Sequence, residues 1–367
     1  MYDVLTNKDM KIKLLGKNLE ELKQVVSESG LPGYTARQIA QWIYVKKVRN
    51  IDDMTNLSKA ARAALKERYQ VGVVEYSGMQ RSSDGTKKYL FPVKCSHLRG
   101  LNRSCDGSTP EEKLEASVVE AVMIPDDDRA TLCVSSQAGC RMGCKFCMTG
   151  RQGFHGHMSA ADIISQFIAV DESDRLTNAV FMGMGEPLDN YENVMRVIEI
   201  LTADWGFAWS PKRITLSTIG VLPNLKRYLD ECKCHLAVSL HDPFGQERQE
   251  MMPVQASWPI QDVINLIKQY DFTGQRRVSF EYTMFAGFND SKVHADALVR
   301  LLKGIECRMN LIRFHKIPDF PFETSSGIII ENFKTRLNNQ GLTTTVRASR
   351  GEDILAACGM LAGEHNK

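Results

Sequence analysis

The sequence predicts an α/β protein: a parallel sheet, as an open or closed β/α barrel, preceded by a small helical N-terminal domain. Three observations predict it. From Thr131 onward short β-rich runs alternate with amphipathic segments of helix length, the rhythm of strands joined by crossovers. The first third instead spaces its apolar residues at helical intervals. And 367 residues exceed what one hydrophobic core usually organises, so two or three domains are expected.

Taken in order, Asn18 to Val26 puts Leu19, Leu22, Val25 and Val26 on one helical face. Thr35 is the expected cap of a second helix through Ile39, Trp42 and Ile43, and Ser58 that of a third over Leu57–Tyr69. Strands are expected at Lys88–Val93 and Ser117–Ile124. Between them Cys95–Glu115, polar and rich in Gly and Ser, reads as a long surface loop. The alternating strands follow at Thr131–Ser136, Asn178–Gly183, Arg213–Ser217, His235–Leu240, Val278–Met284 and Met309–Phe314. Helices Ala160–Val170, Ile260–Tyr270 and His294–Leu302 lie between them, and a helix at Glu331–Asn339 with a strand at Thr343–Arg347 closes the series. The expected domains are a basic, mainly helical accessory domain (1–93), an inserted loop (94–116) and the barrel with a C-terminal extension (117–367).

Composition narrows the class. With 43% hydrophobic and 25% charged residues the chain is neither disordered nor collagen-like. No uncharged stretch approaches the ~18 apolar residues of a membrane helix, and Met1-Tyr2-Asp3-Val4 lacks a secretory layout, so a cytoplasmic protein is expected. There the ten cysteines are not a disulfide framework. Met1–Val93 holds sixteen Lys and Arg against ten Asp and Glu, leaving the remainder slightly acidic. Such a cationic face suits a polyanionic partner, and equally suits ordinary solvated helices.

The strongest local signal is Cys140-Arg141-Met142-Gly143-Cys144-Lys145-Phe146-Cys147, directly after the first alternating strand. Three thiolates at C-x3-C-x2-C spacing can hold an iron–sulfur cubane whose fourth iron has no protein ligand. The next reading is structural zinc, with His155 or His157 as fourth ligand, and the last is three unrelated buried thiols. Cys95, Cys105, Cys232, Cys234 and Cys307 form no comparable cluster beyond the Cys232/Cys234 pair. Gly183-Met184-Gly185-Glu186-Pro187 follows the second strand, where the Glu186 carboxylate could hold an ammonium group. Ser217-Thr218 ends the third strand and Ser239-Leu240-His241 the fourth, so polar groups converge where α/β sheets carry their chemistry.

These motifs resemble radical S-adenosylmethionine (SAM) enzymes. The longer strings Cys133–Phe154, Phe181–Leu188, Leu236–His241 and Arg350–Gly363 resemble specifically the RlmN-type adenine C2 methyltransferases of 23S rRNA and tRNA. Gly150–Phe154 and Pro187 look like this branch rather than the C8-methylating Cfr relative. The resemblance implies a partial (β/α)6 TIM-like radical SAM barrel and a [4Fe–4S] cluster on Cys140, Cys144 and Cys147. It also implies SAM held by Gly185, Glu186, Ser217, Ser239, Leu240, His241 and His315. At His315 well-known relatives carry Asn, and imidazole can offer the same hydrogen bond.

The resemblance further makes Cys358 a methyl carrier, Cys133 the thiol that later attacks the Cys358 sulfur, and Glu120 a proton acceptor. By default these three would be a small buried hydrophobe, strand core and a strand-edge surface carboxylate. In the implied reaction Cys358 takes a methyl from one SAM. A radical derived from a second removes hydrogen from that methyl, the carbon adds to adenine C2, and Cys133 resolves the crosslink through a transient disulfide. The implied partners are 23S rRNA, tRNA with its adenosine 3′ to the anticodon, and an electron donor such as a flavodoxin or ferredoxin system, with a monomer expected. Lys46, Lys47, Arg49, Arg62 and Arg68, with Lys212, Arg213, Arg276 and Arg277, are candidate phosphate contacts.

Overall fold

A computed structural model describes residues 11–97, 113–274 and 276–362. Two compact units are present. The first comprises residues up to Glu75 together with Met158–Ser173 and Glu192–Ser210; the second holds Tyr76–His157, Asp174–Tyr191 and everything from Pro211.

In the first unit Asn18 caps the helix Leu19–Glu28 through a capping box with Glu21. Ser58 caps Lys59–Arg68 by accepting from the Ala61 amide. Thr35 is not a cap. The Thr35 amide donates to Pro32 O, so the chain is already turning, and Thr35 is the first residue of the helix Thr35–Ala40, which runs on into a π-helical turn, Gln41–Val45. Two helices from later in the chain complete this core, Ala160–Ala169, buried along its whole length, and Tyr191–Thr202. Lys13 pairs with Asp162 at 2.9 Å, and the Val74 amide donates to Ser165 Oγ at 2.9 Å. The division falls ahead of the residue-93 boundary expected from charge, because Gly78–Arg81 and Lys87–His97 pair into the large sheet.

That sheet has twelve strands among the described residues. Seven run parallel in sequence order: β1 (Arg129–Cys133), β2 (Asn178–Phe181), β3 (Ile214–Thr218), β4 (His235–Ser239), β5 (Val278–Met284), β6 (Cys307–Arg313) and β7 (Thr344–Val346). Their register runs Leu132↔Ala179, Leu216↔Phe181, Leu216↔Leu236, Leu236↔Val278, Val278↔Cys307 and Met309↔Thr344. On the β1 side the sheet continues antiparallel through Lys113–Asp126 and Lys87–His97 to Phe154–His157 and Gln137–Gly139. The barrel is therefore open: β7 and β1 do not pair with each other.

The loop expected over Cys95–Glu115 is strand at both ends, since Cys95 pairs with Glu115 and His97 with Lys113 in one antiparallel ladder. Cys105 lies outside the described residues, as do Gly363 and the first four residues.

Candidate active site

β1 delivers the chain to the three-cysteine segment, which is framed by the paired strands Gln137–Gly139 and Phe154–His157. The Cys140 amide donates to Gly153 O at 2.7 Å. A side chain at Gly139 (φ +69°) would meet that same oxygen at 1.9 Å, so only glycine allows this close return. Inside the segment the Cys147 amide donates to Cys144 O, and the Lys145 amide to Met251 O.

Cys140, Cys144 and Cys147 line one cavity with Gly185, Glu186, Ser217, Ser239, His241, His315 and Cys358, enclosing about 980 Å³ counted to its open mouth. Residues at or just beyond the ends of β1, β2, β3, β4 and β6 thus converge, together with a thiol more than two hundred positions away from the three cysteines. Burial pushes all three cluster-motif thiols up. A bound metal would deprotonate them outright. Neither His155 nor His157 lines this cavity. His157 instead faces Gln137 Nε2 at 3.1 Å, which leaves the zinc alternative without a fourth ligand from that pair.

Glu186 is buried and held from three sides: Oε1 accepts from Thr218 Oγ1 (2.6 Å) and the Leu188 amide (3.0 Å), Oε2 from the Ile219 amide (3.0 Å). Burial outweighs these bonds and lifts its carboxyl to about 7. Gly185 has φ +97°, and a Cβ there would lie 2.5 Å from Gln137 Cβ. Gln137 in turn accepts from the Glu186 amide at 2.8 Å. His241 is buried, and burial lowers its imidazole to about 3. Its Nδ1 accepts from the Thr283 amide at 3.0 Å, so the neutral ring carries its proton on Nε2. His315 Nε2 lies 3.1 Å from Ser349 Oγ.

Leu240 does not line the cavity; fully buried, it contributes its carbonyl to Arg248 Nε at 2.9 Å. Arg248, which sequence reasoning missed, is itself fully buried and also donates to Ser239 O, Ile219 O and Gln255 Oε1. Its charge opposes the upward shift of Cys144.

Cys358 follows β7 on the C-terminal segment. Two bonds tie that segment to the cluster motif: the Met148 amide donates to Gly359 O at 2.8 Å, and Thr149 Oγ1 to Leu361 O at 2.7 Å. The residues next to Cys147 and next to Cys358 are therefore directly bonded. A second cavity shares Cys147, His315, Arg347 and Cys358 with the first and adds Cys133. Burial, then the charge of Cys358, pushes the Cys133 thiol up to about 12, against the pull of Arg347. Arg347, also missed from sequence, lies 3.6 Å from the buried Glu281 and feels the charge of both thiols.

Glu120 lines neither cavity. It is buried, 3.4 Å from Lys88 Nζ, and Oε2 accepts from the Ala362 amide at 3.2 Å. Its strand, Lys113–Asp126, is paired on both sides, so the default reading of a strand-edge surface carboxylate fails.

Comparison with known proteins agrees with this arrangement. Residues 134–298 match the radical SAM superfamily, and residues 12–71 match the ribosomal RNA large subunit methyltransferase N-terminal domain. A probable dual-specificity RNA methyltransferase RlmN of Parabacteroides distasonis is 54% identical, covering 97% of this chain and 98% of that protein. The dual-specificity RNA methyltransferase RlmN of Syntrophus aciditrophicus is 39% identical, covering 96% and 97%. The crystal structure of a radical SAM methyltransferase from Sphaerobacter thermophilus superimposes with a TM-score of 0.85 at 38% identity, covering 96% of this chain and all of the other.

Proposed function

This chain belongs to the RlmN family of radical SAM RNA methyltransferases, and from that membership we propose that it methylates C2 of one adenosine in the peptidyl-transferase region of 23S rRNA and of the adenosine 3′ to the anticodon in tRNA. The observation that carries this reading is the cavity itself, where three cysteines of one short segment and the distant Cys358 line the same walls.

Cys140, Cys144 and Cys147 would hold a [4Fe–4S] cluster. The donor set fits: three thiols on one wall of a cavity leave a face for a non-protein ligand. SAM would lie across Gly185, Glu186, Ser217, Ser239, His241 and His315, with the Glu186 carboxylate toward its ammonium group and imidazole N–H groups toward its adenosine or carboxylate. Bound there, cluster and SAM supply one-electron cleavage and a radical able to activate an inert C–H bond. The protein's own contributions are orientation and exclusion of water.

Cys358, exposed to the cavity, would be the nucleophile that accepts a methyl group. Cys133, in the adjoining cavity, would attack the Cys358 sulfur once the carbon is joined to adenine. The new S–S bond forms as the S–C bond breaks, the electron pair staying on the carbon, which takes up a proton to become the methyl group; a dithiol reductant then returns the disulfide to two thiols for the next turnover. The ring proton goes to a base. Cys133, kept protonated by burial, must itself lose a proton before it attacks, and Glu120 is engaged with Lys88 and the Ala362 amide. Electrons would come from a flavodoxin or ferredoxin system.

Of the candidate phosphate contacts, Lys46 rests on the Trp42 ring at 3.6 Å, and Arg49, Arg62, Arg68 and Arg276 each have partners within the protein. An RNA contact by these four would have to share or replace them. Anaerobically reconstituted protein, incubated with SAM, reductant and unmodified 23S rRNA or tRNA, tests the proposal by nucleoside mass spectrometry and NMR. We expect a brown protein with about four iron per chain and 2-methyladenosine in both RNAs. 8-Methyladenosine, or a colourless protein with one tight zinc and no product, would overturn it.

A further inference from the structure

A second group of metal-ligating side chains meets in the loop after β4, apart from the three cysteines. Asp242, next to His241, is fully buried; its Oδ1 accepts from the Phe244 amide at 2.7 Å, whereas Oδ2 has no hydrogen-bond partner. Oδ2 lies 4.0 Å from Nε2 of His294, in the first turn of the helix Lys292–Leu302. The same Nε2 lies 2.8 Å from Glu247 Oε2, and Nδ1 lies 2.7 Å from Ser291 Oγ. The three ligand atoms all fall within 4.8 Å of one another.

A buried carboxylate oxygen left without a donor is costly. The nearby Arg248 does not supply one, since its donors go to the Leu240, Ser239 and Ile219 carbonyls and to Gln255 Oε1. His294 has the layout of a ligating imidazole, with one nitrogen steadied by a hydroxyl and the other turned to carboxylates. Glu247, with 39% of its side chain exposed, opens the group to solvent, while Asp242 and His294 form a buried floor at 0% and 9%.

We propose that Asp242, Glu247 and His294 bind one first-row divalent cation through two carboxylate oxygens and one imidazole nitrogen, with water completing its shell. One nitrogen among the donors favours Zn(II), Mn(II) or Fe(II) over Ca(II) and Mg(II), which prefer all-oxygen sites. The ion joins the loop after β4 to the helix Lys292–Leu302. It also steadies the helix Gly245–Met251, which carries Arg248 and whose last carbonyl accepts from the Lys145 amide beside Cys144.

The test is a Mn(II) titration followed by electron paramagnetic resonance, on protein holding its oxidised cluster and on the Cys140→Ala/Cys144→Ala/Cys147→Ala variant. We expect both to remove free Mn(II) signal up to one ion per chain, with Zn(II) displacing it. Asp242→Asn should abolish binding, as should Glu247→Gln, whose half-exposed position spares the fold. Ser291→Ala should weaken it by roughly 10–100-fold. No bound Mn(II), binding that survives both Asp242→Asn and Glu247→Gln, or binding lost with the three cysteines while the fold is retained would overturn the proposal.

Discussion

Cys358 and Cys133 carry the same atom in different settings, and the difference suits different tasks. Cys358 is exposed in a shared wall between two cavities, whereas burial keeps Cys133 protonated until a partner is brought to it. We expect Cys358→Ala to abolish RNA methylation while reductive SAM cleavage remains measurable by 5′-deoxyadenosine release; normal methylation by that variant would remove the carrier role. Cys133→Ala should accumulate a covalent protein–RNA adduct visible on a denaturing gel, and clean turnover would reject its resolving role. Arg248 acts differently, as a buried cation holding four acceptors, the carbonyls of Ile219 after β3, Ser239 at the end of β4 and Leu240 after it, and the Gln255 side chain. Replacing it by Gln leaves most of them unsatisfied, so urea denaturation should show a loss of roughly 3–5 kcal/mol; a loss below about 1 kcal/mol, the worth of an ordinary single hydrogen bond, would mean that the loops do not depend on it.

At the scale of elements, the segment carrying Cys358 is held by a hairpin turn far from it in sequence. Asp84 accepts from the Thr86 amide at 2.9 Å and the Gly351 amide at 3.0 Å, and Asp353 accepts from Ser82 Oγ at 2.5 Å and the Ser83 amide at 3.0 Å. Burial alone would raise the Asp84 carboxyl, but these hydrogen bonds outweigh it and hold the group at about 2. A depressed folded-state value means the tether is fully present above the ordinary carboxylate range near 3.8 and is lost as pH falls toward 2. Amide exchange across residues 351–361 should therefore quicken in that window and not at neutral pH. Asp84→Asn with Asp353→Asn should reproduce the quickening at pH 7; unchanged protection would show that the segment is held elsewhere, as by Met148 and Thr149.

Across the whole molecule, what the sequence made legible was local, and what it hid was long-range. All seven parallel strands lie where alternation and β-branched runs put them, because a buried strand needs only its own five or so apolar residues to declare itself. The three-cysteine segment and the strand-end Gly185, Glu186, Ser217, Ser239 and His241 were legible for the same reason. Arg248, Arg347 and Gln137 were not, since each is placed by partners far away in the chain or on other elements, and an isolated Arg reads as surface charge. Glu120 and Leu240 show the converse: the family resemblance marked them for the site, yet Glu120 is buried against Lys88 on a flanking strand and the buried Leu240 does not line the cavity.

The most direct measurement is mass spectrometry of the tryptic peptide Gly351–Lys367, whose sole cysteine is Cys358, from protein isolated with its cluster and SAM. Cys358 should carry a methyl group that disappears when unmodified RNA and reductant are added. A peptide that is never methylated, in protein that nonetheless methylates RNA, would contradict the role given to this thiol and the meaning given to the cavity it shares with Cys140, Cys144 and Cys147.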